Sequence, residues 1–127
     1  MAFTHTIGRS WSGGGLSLSA SKAYTASAEY NFTEDILAVA DTEVACVIAV
    51  AEIASIFIVC NEDILLEVND GAGGGGSIAL LADEPYVWHT DSYYTNLLAV
   101  DITALFFTNT SGNTATVEFR CLVDSTP

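Results

Sequence analysis

The sequence predicts an all-β protein: an antiparallel β-sandwich, jelly-roll-like, of eight to nine short strands. The first observation is alternation. From 114 to 123, Ala115, Val117, Phe119, Cys121 and Val123 take one parity, and Thr114, Thr116, Glu118 and Arg120 the other. A side-chain period of two is that of a strand with one core face and one wet face. The second is punctuation: Gly13-Gly14-Gly15, Asn61-Glu-Asp63, Asp70 to Gly76, Asp83-Glu-Pro85 and Asn109 to Asn113 separate short apolar runs. Such residues mark turns, and closely spaced turns between short strands mark a sandwich or barrel. The third is an echo. Val50 to Ile58 aligns with Ala99 to Phe107 at an offset of 49, setting Glu52 on Asp101, Ile53 on Ile102, Ile56 on Leu105 and Phe57 on Phe106. Each copy runs on into a polar turn and another strand, as expected of a sandwich with two similar halves.

Taken in order, residues 1–13 read as an extended N-terminal arm, with Phe3, Ile7 and Trp11 set among few charges and few helix formers. The glycines then break the chain, and residues 14–127 read as a single sandwich domain. Leu16, Leu18 and Ala20 alternate with Ser17, Ser19 and Ser21 as a half-buried strand, and Lys22 to Ser27 is a turn or loop. Ala28 to Ile36 is a strand. The Ala-rich stretch from Val44 to Ser55 fits strand or helix by period. Its β-branched residues favour a fully buried strand over 44–50, and 51–55 is a corner or a single helical turn. Ile56–Cys60 and Ile64–Asn69 form a strand and its return around Asn61-Glu-Asp63. Residues 70–76 are a flexible glycine loop, Ser77–Ala82 and Tyr86–Trp88 are strands, and His89–Asn96 is a polar, tyrosine-bearing loop. Ala104–Thr108 and Thr114–Val123 read as a β-hairpin, with Gly112 and Asn113 suited to its tight turn.

Composition narrows the function. Half of the 127 residues are hydrophobic and 15% are charged, so part of the apolar surface is expected in contacts between chains. Three Lys and Arg stand against sixteen Asp and Glu, for a net charge of −13. That balance argues against a phosphate backbone or an anionic lipid as partner. No charged start is followed by an apolar run, and no uncharged stretch is long enough to span a membrane, so neither a signal peptide nor a membrane is expected. Cys46, Cys60 and Cys121 sit in apolar, strand-like surroundings and read as reduced, buried thiols of a protein made in a cytoplasm.

Little of the sequence carries chemistry. The glycine run is followed by no Lys-Ser/Thr and is flanked by Asp70 and Asp83, which does not suit phosphate. His5 and His89 lack zinc-ligand spacing, and the acids and amides at 61–63 and 69–70 match no calcium loop. Glu34 and Asp35 are adjacent and point to opposite faces of a strand, so they form no glycosidase dyad. No enzyme activity and no cofactor are expected. What remains is aromatic: Trp11, Tyr86, Trp88, Tyr93 and Tyr94 are the candidate contact residues, for a protein interface or for a glycan stacked beside Asp and Asn. For Trp88 the competing reading is a plug at the end of the core.

The segments IFIVCNEDILLEVND (56–70), SIALLADEPYVWHTDSYYTN (77–96) and LAVDITALFFTNTSGNTATVEFRCLV (98–123) resemble the small β-sandwich virion proteins of tailed bacteriophages. Those proteins are encoded near the major capsid gene and serve as head decoration (cement) or other minor structural proteins. The resemblance covers residues 43–123 and is carried chiefly by the P-Y-V-W-H segment and the L-F-F-T-N-T-S-G-N-T-A-T-V-E-F-R run. It implies a jelly-roll-like fold and a non-enzymatic capsid decoration protein on the virion head surface, synthesised in the host cytoplasm. It further implies the major capsid protein and copies of itself, as a homotrimer, for partners. A receptor- or glycan-binding module, or a tail or connector component, is the alternative. No functional residues transfer by the resemblance.

Overall fold

The computed structural model describes residues 2–72 and 74–124; Met1, Gly73 of the glycine run and residues 125–127 lie outside the described residues. Ten strands follow one another: β1 (Phe3–Gly13), β2 (Leu16–Ala26), β3 (Ala28–Ile36), β4 (Ala40–Ile48), β5 (Ile53–Cys60), β6 (Ile64–Val68), β7 (Ser77–Leu80), β8 (Tyr86–His89), β9 (Ile102–Asn109) and β10 (Ala115–Val123). One 3-10 turn, Val50–Glu52, makes the corner before β5. No helix of the described residues is long and apolar enough to cross a membrane.

Eight strands form two four-stranded sheets, ordered β3-β10-β5-β8 and β4-β9-β6-β7. The antiparallel pairs β3·β10, β4·β9, β5·β8 and β6·β7 nest inside one another. This is a long hairpin rolled into two layers, the jelly-roll topology. Advancing every label by four strands, β3 to β7 and β5 to β9, converts the first sheet order into the second. The echo at offset 49 falls on that relation, since β5 begins at Ile53 and ends at Cys60 while β9 begins at Ile102 and ends at Asn109. The core between the layers is apolar throughout. Phe119 stacks on Phe32 at 4.7 Å, and Phe107 of the facing sheet meets Phe32 edge-on at 6.3 Å.

The sheet assignment corrects several expectations. β9 and β10 are not a hairpin: β9 lies in one sheet and β10 in the other, and the chain between them arches across the end of the sandwich. The same holds for β5 and β6 around Asn61-Glu-Asp63. Asparagines set both arches. Buried Asn109 donates its amide to the carbonyls of Ile36 (3.0 Å), Leu37 (3.2 Å) and Asn113 (2.7 Å), while its own oxygen accepts from the Ser111 N–H. Asn61 Oδ1 accepts from the Thr116 N–H at 2.8 Å, tying one arch to the start of the next strand. The true hairpins are β1–β2 and β6–β7. In the second, a Cβ on Gly75 would meet the Val68 carbonyl oxygen at 2.3 Å, so that position needs glycine. β4 is not fully buried: Cys46 and Ile48 face the core, and Val47 between them is 68% exposed.

The largest departure is at the N-terminus. From sequence, residues 1–13 read as an extended arm outside the sandwich domain, and 22–27 as a turn or loop. Instead β1 pairs with β2 along its whole length, from Phe3↔Ala26 to Gly13↔Leu16. Gly14 and Gly15 close the turn with φ of 58° and 80°, the primed geometry that matches strand twist. Residues 3–26 are thus a two-stranded ribbon outside both sheets. Its base packs on the outer side of the first sheet, where Ile7, Tyr24 and Ala26 cluster with Leu122 and meet Phe3, Ala54 and Val87. The ribbon follows the outer face of the first sheet as far as Ser10 and Ala20, and only its tip leaves the body. Leu16 and Leu18, expected half-buried, are each 71% exposed.

Candidate functional site

The register of the ribbon sorts its side chains. Thr4, Thr6, Gly8, Ser10 and Ser12 pair with Thr25, Ala23, Ser21, Ser19 and Ser17 on a face of small and hydroxyl groups. The other face carries Phe3, His5, Ile7, Arg9 and Trp11 beside Ala26, Tyr24, Lys22, Ala20 and Leu18. That face is apolar and holds two of the three permanent cations of the chain, since the third is Arg120.

Where this face crosses the loop after β8, a cleft of about 250 Å³ opens, lined by Ile7, Arg9, Lys22, Tyr24, His89, Asp91, Tyr93 and Tyr94 among others. A relay of hydrogen bonds closes its floor. The Tyr24 hydroxyl donates to Asp91 Oδ2 at 3.1 Å and lies 2.8 Å from His89 Nδ1. A phenol has one proton, so with that proton on Asp91 the imidazole must carry its own on Nδ1 and donate to Tyr24. Lys22 Nζ donates to the same Asp91 oxygen at 2.5 Å, and the Tyr24 and His89 rings lie 5.1 Å apart. Each group is tuned by the others. Hydrogen bonds from Lys22 and then Tyr24 hold the Asp91 carboxyl below its ordinary value, and Asp91 holds Lys22 above its own. Burial, reinforced by Asp91, raises the Tyr24 phenol. Burial and then the nearby Arg9 charge lower the His89 imidazole, against the pull of Asp91. Farther down the ribbon, His5 Nε2 and Glu29 Oε2 meet at 2.8 Å, and that contact lowers the Glu29 carboxyl. These contacts bind the ribbon to the sandwich.

Arg9 stands apart. Lys22 is paired with Asp91 and Arg120 approaches Glu118 at 4.0 Å, but among the described residues Arg9 forms no ion pair, only a 3.5 Å contact to the Tyr94 hydroxyl.

The expected contact residues divide. Tyr93 is fully exposed and Tyr94 is 45% exposed, and both line the cleft. Tyr94 is held in place, its hydroxyl donating to the Val87 carbonyl and its own carbonyl accepting from Trp88 Nε1 at 2.9 Å. Tyr86 and Trp88 share the other parity of β8 and pack against the core. The Tyr86 hydroxyl donates to the Asn96 side chain and accepts from the Leu97 N–H. Those two aromatics position the loop from beneath. Trp11 lies two cross-strand pairs farther out than Arg9, opposite Leu18, and is 56% exposed. The cleft also holds Arg9, Lys22, Tyr24 and Asp91, which are outside the expected contact set, and His89, which the sequence raises only as a zinc ligand. A signal was there: Lys22 and Tyr24 continue the parity of Leu16, Leu18 and Ala20.

Among the described residues no three His, Cys, Asp or Glu side chains gather as a metal site. The three thiols are free and buried, and burial pushes Cys121 up to about 12. No family model matches the chain, and neither a curated protein nor a solved structure does.

Proposed function

We propose that this protein is a non-enzymatic structural component of a virion, a decoration protein that docks on the expanded head and stabilises it. The observation that carries the reading is the ribbon: a regular β-structure that extends beyond its own body and leaves Trp11, Leu16 and Leu18 in water. A two-stranded ribbon alone is marginally stable, and an apolar face on it has a physical use only when something covers it. The jelly-roll body and the resemblance of residues 43–123 to phage virion proteins support the same reading. A protein that binds only the expanded lattice stabilises it by mass action. Co-sedimentation with emptied phage heads tests it. Saturable binding to expanded shells and none to unexpanded ones is expected, and no binding to either overturns the proposal.

One observation favours a second reading, glycan or receptor binding: the cleft sets two exposed tyrosines beside unpaired Arg9. Aromatic faces stack on sugar rings and an arginine holds a carboxylate. Under this reading Tyr93→Ala with Tyr94→Ala abolishes adhesion to host cells and leaves head binding intact.

A further inference from the structure

The charges of the chain are not mixed along it. No Asp or Glu precedes Glu29, so the ribbon carries Arg9 and Lys22 and no acid, a charge of +2. The remainder has Arg120 against all sixteen acids, a charge of −15. Lys22 pairs with Asp91 of its own body, which leaves Arg9 as the ribbon cation complementary to the acidic body of another copy.

One region of that body also matches it in polarity. At the end of the sandwich where β3 finishes, four connections come together: 37–39, 61–63, 81–85 and 110–114. They are tied in two pairs, 37–39 with 110–114 and 61–63 with 81–85. The Val39 N–H donates to the Ser111 carbonyl at 3.3 Å, the Ala82 N–H to Asp63 Oδ1 at 2.7 Å and the Asp83 N–H to the Cys60 carbonyl at 2.7 Å. At this end Leu37 and Val39 are 66% and 77% exposed on the β3–β4 connection next to exposed Asp41, and Leu81, 58% exposed, lies near exposed Asp63 and Asp83 on the β7–β8 connection at the opposite edge of the sandwich. Val39 also has a φ of 53°, a left-handed conformation that a β-branched side chain adopts only under strain. Valine there is worse for the isolated fold than asparagine or glycine would be. A strained, exposed, apolar residue points to a contact that the single chain does not contain.

The ribbon starts where β3 begins and runs up the outer face of the first sheet until Gly8, Arg9 and Ser10 share a pocket with Glu84 and Pro85 of its own arch end, so the tip projects on that side and two copies can meet there. We propose that the ribbon tip, through Trp11, Leu16, Leu18 and Arg9, docks on the arch end of a second copy around Leu37 and Val39. The contact is heterologous, one patch against a different patch. Repetition of such a contact closes into a ring when the rotation allows, and runs on as a filament otherwise. The inference rests on the assembling role proposed above and names the partner of its ribbon.

Two variants and their mixture test it by sedimentation at roughly 100 μM, well above the Kd of a specific interface. The wild-type chain is expected to be oligomeric. A tip variant, Trp11→Ser with Leu18→Ser, and an arch variant, Leu37→Ser with Val39→Asn, are each expected to be monomeric. Both change exposed residues, and asparagine suits the backbone at 39, so both should fold; circular dichroism and urea melts check that. The 1:1 mixture is expected to form a discrete dimer, because it retains one intact junction, the arch variant's ribbon on the tip variant's arch end. Wild-type chain that stays monomeric overturns the inference, and so does a mixture that stays monomeric. Co-sedimentation separates this failure from failure of the functional reading: a monomer that still binds expanded shells removes the second copy and keeps the decoration role.

Discussion

Strands β10 and β2 alternate with the same period, yet every second side chain of β10 from Ala115 to Val123 is buried while Leu16 and Leu18 of β2 are 71% exposed. The difference lies in neighbours. β10 has β3 on one side and β5 on the other, with a second sheet across its inner face. β2 has β1 alone, and its apolar face meets the body only near Tyr24 and Ala26. Alternation thus reports that a segment is a strand and which side is apolar, and leaves open what covers that side. In the sandwich the cover is the chain itself. On the ribbon tip the chain itself supplies none, and Trp11, Leu16 and Leu18 stay exposed.

The sharpest way to separate the two regions is truncation. Phe119, fully buried and stacked on Phe32, replaced by alanine should lower stability by about 3–5 kcal/mol, the usual cost of a large cavity in a closed core. Leu18→Ala on the ribbon tip should change it by less than about 0.5 kcal/mol in the monomer, because an exposed side chain away from packing leaves no cavity. Urea denaturation measures both. A comparable loss from Leu18→Ala would mean that the ribbon is covered within the single chain.

The next test concerns the arches that make the sandwich a jelly roll. Asn109→Ala leaves the Ile36, Leu37 and Asn113 carbonyls without their shared donor, at an expected cost of about 1–3 kcal/mol. Because these bonds hold the end of β3 against the arch, the loss should appear in β3 and β10 and spare the ribbon. Amide exchange resolved by residue checks this. A uniform loss across the ribbon as well would join the two regions into one cooperative unit.

Asn109 also marks the limit of what sequence pattern conveys. The strands around it, their inward parities and the two-fold echo were all legible, because burial inside a closed sandwich imposes period two and the rolled topology repeats it after four strands. The arch was not, since a five-residue polar turn serves a hairpin and an arch equally. What decides is a buried amide reaching carbonyls far away in sequence. The ribbon was misread for a related reason. Lys22 interrupts the apolar parity of β2 with a charge, which resembles the onset of a loop until Asp91, distant in sequence, is seen to receive it. Of the aromatic candidates, Tyr93 and Tyr94 line the cleft because their loop turns them outward. Tyr86 and Trp88 face the core because β8 occupies an edge of the first sheet and presents that parity to the interior.

The smallest effect is expected where ribbon and sandwich join. Tyr24→Phe keeps the ring in its cluster and removes the acceptor of His89 and a donor to Asp91. The ribbon amides should then exchange a few-fold faster at neutral pH, while those of β10 stay unchanged. Acid should act on the same junction. His89 is held below about 6.5, the value it regains when the ribbon lifts away, so the lifted state binds more protons as pH falls past that point. Attachment is therefore complete above pH 6.5 and weakens as pH falls toward the lowered pKa. Asp91 adds a second loss of the same sign below about pH 4, where its carboxylate is protonated and the contacts to Lys22 and Tyr24 fail. His89→Gln should flatten the first step and keep the second. If β10 loosens in step with the ribbon on acidification, the joint is part of the core, and the ribbon is not free to leave its own body for a neighbour's.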